Sequence, residues 1–218
     1  MKNILASLVL GAAVLGVTSL PAAALSLAPS AAANDSDGIG YFPGGLGNDL
    51  TVNWVDGNHN IGLLQFDLSA LAPGSVGAAT LDLYHLFNSV GSAQFGIFLN
   101  TTPWVGVTTD YASRPATAPL PSSIMTINDN NTGLHRTVDV TALVQGWVNG
   151  SYANYGLTLD RLDDPNPYVY FASAADGDHP DATPMLVIRA VPEPEAALML
   201  AAGLAMLAVV ARRQRRPL

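Results

Sequence analysis

Short stretches in which apolar and polar residues alternate recur through the middle of the chain. In the clearest, Leu64, Phe66 and Leu68 alternate with Gln65 and Asp67. Because successive side chains of a β-strand point to opposite faces, this period of two predicts a strand with one buried face. Other short apolar or alternating runs are predicted as strands too: Leu81–Tyr84, Phe95–Leu99, Gly156–Asp160, Tyr168–Ser173 and Met185–Ala190.

Residues that favour turns separate these runs. Clusters of Gly, Pro, Asn and Asp are typical of the loops between strands, and they occupy residues 72–75, 128–133, 163–167 and 176–184. Many short strands at this spacing predict an all-β fold, an antiparallel β-sandwich.

One segment departs from the strand period. Four apolar residues follow one another at helical spacing: Val140, Leu143, Val144 and Trp147. We therefore expect one short helix over Thr141–Asn149, ended by Gly150, with Asp139 or Thr141 capping its first turn.

The N-terminus has the order of a secretory signal peptide, predicted over residues 1–24. Lys2 gives a positive start, Ile4–Val17 an apolar stretch, and Ala22-Ala23-Ala24 a cleavage site of the small-residue A-x-A type. A second such site, Ala31-Ala32-Ala33, leaves open a cut as late as residue 33. The segment Leu25–Ala33 is then either part of the signal or a disordered start of the mature protein, and an uncleaved anchor is the remaining alternative. The folded domain is expected at residues 34–190.

The C-terminus, residues 191–218, has the order of a membrane stop. An apolar run, Ala196–Ala211, is predicted as a transmembrane helix, and its length of about 24 Å is short for a permanent anchor. A Pro-Glu-Pro box precedes the run and a basic cluster follows it: Pro192, Glu193, Pro194, Arg212, Arg213, Arg215 and Arg216. The cluster is expected to stay on the cytoplasmic face.

This tail resembles the PEP-CTERM sorting signal. The resemblance implies recognition and cleavage by an exosortase, a membrane protease-transpeptidase. Signal peptide and tail together predict export from a Gram-negative bacterium, first as a membrane-anchored precursor and then at the cell surface or in the extracellular matrix. A plain single-pass anchor is the alternative.

The predicted domain is strongly acidic. Of the 17 acidic residues only Glu193 and Glu195 lie in the tail, which leaves 15 aspartates in the domain. Of the nine basic residues, Lys2 and the four tail arginines lie outside it, which leaves four arginines and a net charge of −11. Such a surface excludes electrostatic binding to nucleic acid or to an anionic membrane.

The strands also carry a family resemblance. The segments Gly62–Ser69, Pro73–Val76 and Ala78–Tyr84 resemble the opening of the DNRLRE domain family, and the match continues to Arg189. Later matching positions are these: Trp104, Arg114-Pro115, Val138–Thr141, Gln145–Trp147, Gly150, Asn154–Leu157, Phe171–Ser173 and Pro184–Leu186. The resemblance implies an extracellular, jelly-roll-like β-sandwich whose relatives include polysaccharide-binding modules. Two positions depart from the family pattern: Gln65 replaces the basic residue of the first strand, and Val105-Gly106 follow Trp104 where a Glu is expected. Ligand contacts of relatives are therefore not assigned to this chain.

Catalytic patterns are sparse in the domain. It contains no glutamate and no cysteine, which excludes an HExxH metalloprotease and a thiol nucleophile. His85, in a predicted strand beside Tyr84, is a candidate base for a polysaccharide lyase, and a tyrosine is another. A structural or surface histidine is the favoured interpretation of His85. Asp163-Asp164 are adjacent in a turn, and such neighbours do not form the opposed carboxylates of a glycosidase.

Two kinds of binding site remain as hypotheses. Trp54, Trp104 and Tyr111 are candidate stacking rings for a sugar, although the family pattern also favours core packing for Trp104. Carboxylates on a flexible loop suit calcium, and the favoured cluster is Asp176, Asp178 and Asp181. The sequence thus predicts a non-catalytic, exosortase-sorted surface or matrix protein of biofilm or exopolysaccharide. A carbohydrate-binding module is the alternative, and an enzyme on extracellular polysaccharide is a third.

Overall fold

The computed structural model describes residues 24–36, 50–55, 58–88, 91–105, 113–128, 133–162, 169–173, 181–191 and 202–208. For residues 34–36, 53–55, 58 and 87–88 only the backbone is described. One compact unit is Ala23–Val191, and a second unit comprises Met1–Ala22 and Pro192–Leu218.

The described residues of the compact unit Ala23–Val191 form antiparallel strands and the helix α1 (Thr141–Val148). The described strands are β1 (Ala24–Leu27), β2 (Ala31–Ser36), β3 (Leu50–Val55), β4 (Asn58–Gln65), β5 (Val76–Asn88), β6 (Ser92–Leu99), β7 (Ser123–Asn128), β8 (Leu134–Asp139), β9 (Leu157–Arg161), β10 (Val169–Phe171) and β11 (Met185–Ala190).

The strands form two sheets that face each other. In sheet A the long strand β5 pairs with β8 along one side and with β11 and β10 along the other, and β1 covers the far side of β11. In sheet B the order is β7-β6-β9-β4, with β2 on the far side of β4. Strand β3 joins the sheets, since its first half pairs with β10 and its second half with β4. This arrangement confirms the predicted β-sandwich, and its jelly-roll connectivity stays a prediction.

Aromatic and aliphatic side chains from both sheets fill the space between them. Phe95 of sheet B and Phe171 of sheet A meet edge to face, with ring centroids 5.8 Å apart. Both rings and Phe66 are fully buried, and each contributes about 1.5–3 kcal/mol through apolar burial. The alternation predicted around Phe66 is confirmed, because Phe66 and Leu68 are buried while Asp67 is exposed.

Helix α1 begins at Thr141 and ends at Val148, close to the predicted bounds. The N-cap residue is Val140, which offers no side-chain hydrogen bond. Instead, the backbone N–H of Thr141 donates to Asp139 Oδ1 at 2.7 Å. Hydrogen bonds from the hydroxyl and the backbone N–H of Thr141 lower the pKa of Asp139 below its usual value. The helix places Trp147 in the core, as its spacing predicts.

Residues 24–36 differ from the expectation of a signal remnant or a disordered start. They form β1, which pairs with β11, and β2, which pairs with β4. Their alanines show no period of two, so the pattern gave no strand there. Strand structure therefore begins upstream of Asn34, where the sequence places the start of the domain.

The C-terminal tail is described only at residues 202–208, which are helical. The rest of the predicted span Ala196–Ala211 lies outside the described residues. Among the residues that the structure does describe, no helix is long and apolar enough to cross a membrane. The membrane-spanning helix stays a prediction.

Two glycines with the same left-handed backbone give a test of close packing. Gly156 has φ of +78° and Gly74 has φ of +77°. A Cβ on Gly156 would collide with the carbonyl oxygen of Leu64, whereas a Cβ on Gly74 would meet nothing within 4 Å.

We expect Gly74→Ala to lower the free energy of unfolding by about 1–2 kcal/mol, the cost of the left-handed conformation alone. Gly156→Ala should lower it clearly further, because the backbone of β4 must shift. Urea unfolding at pH 7 measures both, and equal losses would contradict the close packing of Gly156 on β4.

Candidate functional site

The outer face of sheet B, the face turned away from sheet A, carries an apolar patch of its own. Ile61 and Leu63 of β4 and Ala33 of β2 form a small cluster separate from the main core. Ala33 is paired with Leu63 in the strand register. All three are buried, although they lie on the side of the sheet that alternation would give to solvent.

Trp104 packs against this patch. It is partly buried on Ala33, Ile61 and Leu63, and its indole Nε1–H donates to the carbonyl oxygen of Tyr155 at 2.7 Å. A ring held in this way by packing and by one hydrogen bond has little rotamer freedom left to lose on binding. We call Ala33, Ile61, Leu63 and Trp104 the tryptophan platform.

The turn between α1 and β9 fixes the acceptor of that hydrogen bond. Asn154 Nδ2 donates to the Phe66 carbonyl at 2.8 Å, and Gln65 Nε2 donates to the Asn154 carbonyl at 3.0 Å. Gly156 closes the turn through its N–H to Asn154 Oδ1 at 3.1 Å. Tyr155 is therefore held from both sides, because Asn154 is hydrogen-bonded to Gln65 of β4 and Gly156 packs on Leu64 of β4.

Asn100 ties the same turn to the sheet. Its Nδ2 donates to the Tyr155 carbonyl at 3.1 Å, and its Oδ1 accepts from the Thr158 hydroxyl at 2.6 Å. Both side chains are buried, so the pair satisfies polar groups that would otherwise be desolvated without a partner.

A second ring lies on the same sheet. Phe98 of β6 folds back over Gly96, where an added Cβ would lie 2.5 Å from the phenyl ring. Gly96 therefore allows the ring to rest directly on the strand. In the register Phe98 pairs with Thr158, and Thr158 pairs with Leu63, so the ring lies two strands, about 10 Å, from the platform.

Polar groups border the platform. His59 Nε2 and Asp160 Oδ1 are 2.7 Å apart, and their side chains are 12% and 26% exposed. Asp160 follows Leu159, which pairs with Gly62, so it lies beside Ile61 in the next strand. An aromatic ring beside such hydrogen-bonding groups is the combination that a small polar ligand needs for packing and orientation.

The described arginines are spread over the domain. Arg136 lies in β8 and Arg189 in β11, both in sheet A, and Arg161 is buried at the end of β9. Arg114 is exposed, and it lies two residues before Ala116, whose carbonyl accepts from Thr101 N–H at 2.7 Å. Arg114 is thus the cation nearest in the chain to the loop that carries Trp104.

A concavity of about 610 Å³ lies at another edge of the sandwich. Its lining joins the β1–β2 link, the end of β4 and α1, and includes Ser30, Asp67, Trp147 and Asn154. Hydrogen bonds from the side chain and the backbone N–H of Ser69 lower the pKa of Asp67, which keeps this carboxylate ionised and acceptor-only. Trp147 turns its Nε1 into the protein, where the atom is inaccessible to solvent.

The structure describes the three predicted stacking residues to different extents. Trp104 lies on the outer face of sheet B as a partly buried ring. Trp54 lies in β3 with its backbone opposite His59, and nothing of its side chain is described. Tyr111 lies outside the described residues.

The predicted calcium ligands and sorting residues are mostly beyond the described ranges. Asp181 is exposed, while Asp176 and Asp178 fall outside the described residues. Within the residues that the structure describes, no group of three carboxylate or histidine side chains could hold a metal ion. Pro192, Glu193 and Pro194 also lie outside the described residues, as do the four tail arginines.

His85 is in a position that excludes contact with a substrate in this fold. It is fully buried in β5, with its ring centroid 6.0 Å from that of Phe171 in the core. The geometry therefore favours a structural role for His85.

The sequence pattern did not find the residues that hold the ring. Asn100, Asn154 and Thr158 are ordinary polar residues in turn or strand contexts, and Phe98 reads as part of an apolar strand. The Asn154–Leu157 block was singled out only through a family resemblance, and its contacts with β4 and Trp104 come from residues far apart in the chain.

Two family models match this chain. The model for carbohydrate-binding module family 96 matches residues 45–190, and the PEP-CTERM protein-sorting motif matches residues 190–216. No curated protein matches the chain. The predicted sorting signal is thereby confirmed, while membership of the DNRLRE family stays a prediction.

The buried Asn100–Thr158 pair gives a test of how the loop of Trp104 is supported. We expect Asn100→Ala and Thr158→Val each to lower the free energy of unfolding by about 1–3 kcal/mol, since each leaves a buried polar group unsatisfied. The double variant should lose less than the sum, because it removes both members of the bond. Urea unfolding of the four proteins measures the coupling, and strictly additive losses would show that the bond does not stabilise the fold.

Proposed function

Since this chain belongs to carbohydrate-binding module family 96, we propose that its β-sandwich binds an extracellular polysaccharide through the outer face of sheet B. One observation supports this site above others: Trp104 is locked by packing and by its bond to Tyr155, yet it remains partly exposed. A rigid ring on a flat sheet face suits stacking against the apolar face of a sugar.

The protein acts by binding and not by catalysis in this proposal. The matched family is described as a binding module, and the candidate base His85 is buried in the core. The His59–Asp160 pair beside the platform offers hydrogen bonds to sugar hydroxyls.

The polymer we propose is a neutral polysaccharide. Fifteen aspartates against four arginines in residues 34–190 repel a polyanion over the whole surface. Asp160, at the edge of the platform, adds a local negative charge. Among the described arginines, Arg114 is the one nearest in the chain to Trp104, and this makes it the probe for the competing ligand class.

The sorting motif indicates an exported protein that an exosortase sorts to the cell surface. We propose that residues 196–211 form a helix that holds the precursor in the inner membrane of a Gram-negative bacterium until cleavage. The sandwich would then add a glycan-binding function to biofilm or exopolysaccharide. Calcium at Asp176, Asp178 and Asp181 stays a subsidiary proposal, in which the ion would order their loop.

The site is tested first by replacing its ring. In affinity gels containing neutral polysaccharides, Trp104→Ala should weaken binding at least tenfold, equivalent to about 1.4 kcal/mol. Trp104→Phe keeps a ring and loses the Nε1–H donor, so it should bind better than the alanine variant. Leu134→Ala, at a 49% exposed residue of sheet A, is the matched control and should bind like the wild type.

Nuclear magnetic resonance of the wild-type protein locates the binding site without depending on the folding of a variant. A soluble oligosaccharide of the bound polymer should shift the indole N–H resonance of Trp104. A folded Trp104→Ala protein with full affinity, or shifts confined to sheet A, would refute this site. Binding only to uronate polymers, lost in high salt and in Arg114→Gln, would refute the neutral ligand class.

Mass spectrometry of the protein from its host tests the sorting. We expect a C-terminus near Pro192 in the wild-type strain and an intact tail through Leu218 when the exosortase is deleted. An intact tail in both strains would contradict exosortase processing and would leave a protein anchored by its own tail.

A further inference from the structure

We infer that signal peptidase cuts after Ala24, and that residues 25–36, the N-terminal strap, are a permanent part of the sandwich. The sequence offers two small-residue sites, Ala22-Ala23-Ala24 and Ala31-Ala32-Ala33. The fold distinguishes between them. A cut after Ala24 removes only the first residue of β1, whereas a cut after Ala33 removes all of β1 and the first half of β2.

The first half of the strap completes sheet A. Leu25, Ser26 and Leu27 lie opposite Ile188, Val187 and Leu186 of β11. Without them β11 would present an unpaired edge of backbone N–H and C=O groups, which is a common site of aggregation.

The second half of the strap covers β4 in sheet B. Its register runs from Ala31 opposite Gln65 to Ser36 opposite Asn60. Just before it, Ser30 donates to the Gln65 carbonyl through both its N–H at 2.8 Å and its hydroxyl at 3.1 Å.

The alanines of the second motif have structural positions of their own. Ala32 belongs to the main core, and Ala33 is fully buried in the cluster against which Trp104 packs. Both alanines therefore have structural positions in the folded domain, in addition to their match to a cleavage motif.

A cut after Ala33 would remove β1 and the first half of β2. It would uncover β11 and part of β4 and would take away one wall of the tryptophan platform. The compact unit of the structure begins at Ala23, close to the first motif and well before the second.

The strap also lies outside the segment that matches the family, which begins at residue 45. Its strands precede the matched segment and pair with both sheets of this protein. Its contribution to ligand binding through Ala33 rests on the proposed function, whereas the position of the cut does not.

The mature N-terminus of the full chain, expressed in a Gram-negative host and purified from the exported fraction, tests the inference. Intact mass and N-terminal sequencing should give Leu25 as the first residue. A protein that begins at Asn34, or anywhere within the strap, would overturn the inference.

Two variants identify the motif that is used. Ala24 is exposed, so Ala24→Arg should leave the fold intact while blocking the first site, and the uncleaved precursor should accumulate. Ala31→Leu alters the second motif at a partly exposed residue and should leave the start at Leu25. The reverse pattern would assign the cut to the second motif.

Deleting residues 25–33 from the full chain, so that Ala24 precedes Asn34, tests the structural role of the strap. We expect a several-fold lower yield of exported protein and a lower unfolding midpoint. Wild-type yield and midpoint would show that the strap is dispensable. Neither these readouts nor the N-terminal sequence involve glycan binding, so they stand or fall apart from the proposed function.

Discussion

The turn Asn154–Gly156 is the constraint on which the outer face of sheet B depends. Its carbonyl at Tyr155 accepts from both Trp104 and Asn100. Asn154 accepts a hydrogen bond from Gln65 of β4 and donates one to Phe66 just beyond it, while Gly156 packs on Leu64 of β4. A carbonyl oxygen has two lone pairs and can accept two hydrogen bonds. Here the two donors are the side chains of Asn100 and Trp104, which follow β6 in the chain. Because the turn cannot move away from β4 without breaking these bonds, the ring of Trp104 is positioned before any ligand arrives.

The tryptophan platform departs from the usual arrangement of a sandwich, because it buries the outer face of a strand as well as the inner one. One face of a strand normally packs inward while the other meets water, yet β4 buries residues on both faces. Leu64 belongs to the core between the sheets, and Leu63 lies under Trp104 on the outside. The outer cover comes from the N-terminal strap and from one tryptophan, so the chain ahead of the family domain and the candidate binding surface are physically one structure.

An acidic, lysine-free domain can still bind a polymer if binding relies on stacking and hydrogen bonds and not on charge. Ring stacking depends on contact area and on desolvation, and the field of 15 aspartates does not oppose it for a neutral sugar. The same charge keeps an exported protein soluble. The Pro-Glu-Pro box of the sorting motif follows the last strand, and the inferred N-terminal cut after Ala24 shortens β1 by one residue, so the processing we propose would leave β2 to β11 whole.

The sequence by itself determined the class of fold, the helix α1 and the sorting tail, because periodicity, helical spacing and a short linear motif are local properties. It also indicated Trp104, as one of three candidate stacking rings. Tertiary structure decided what local patterns do not encode: that the alanines before Asn34 form strands, that His85 is a core residue, and that Asn100, Asn154 and Thr158 support the ring. The strand pairs and hydrogen bonds behind these features join residues 24 to 165 positions apart in the chain. Such contacts depend on the packing of the whole chain, because no short stretch of sequence contains both partners.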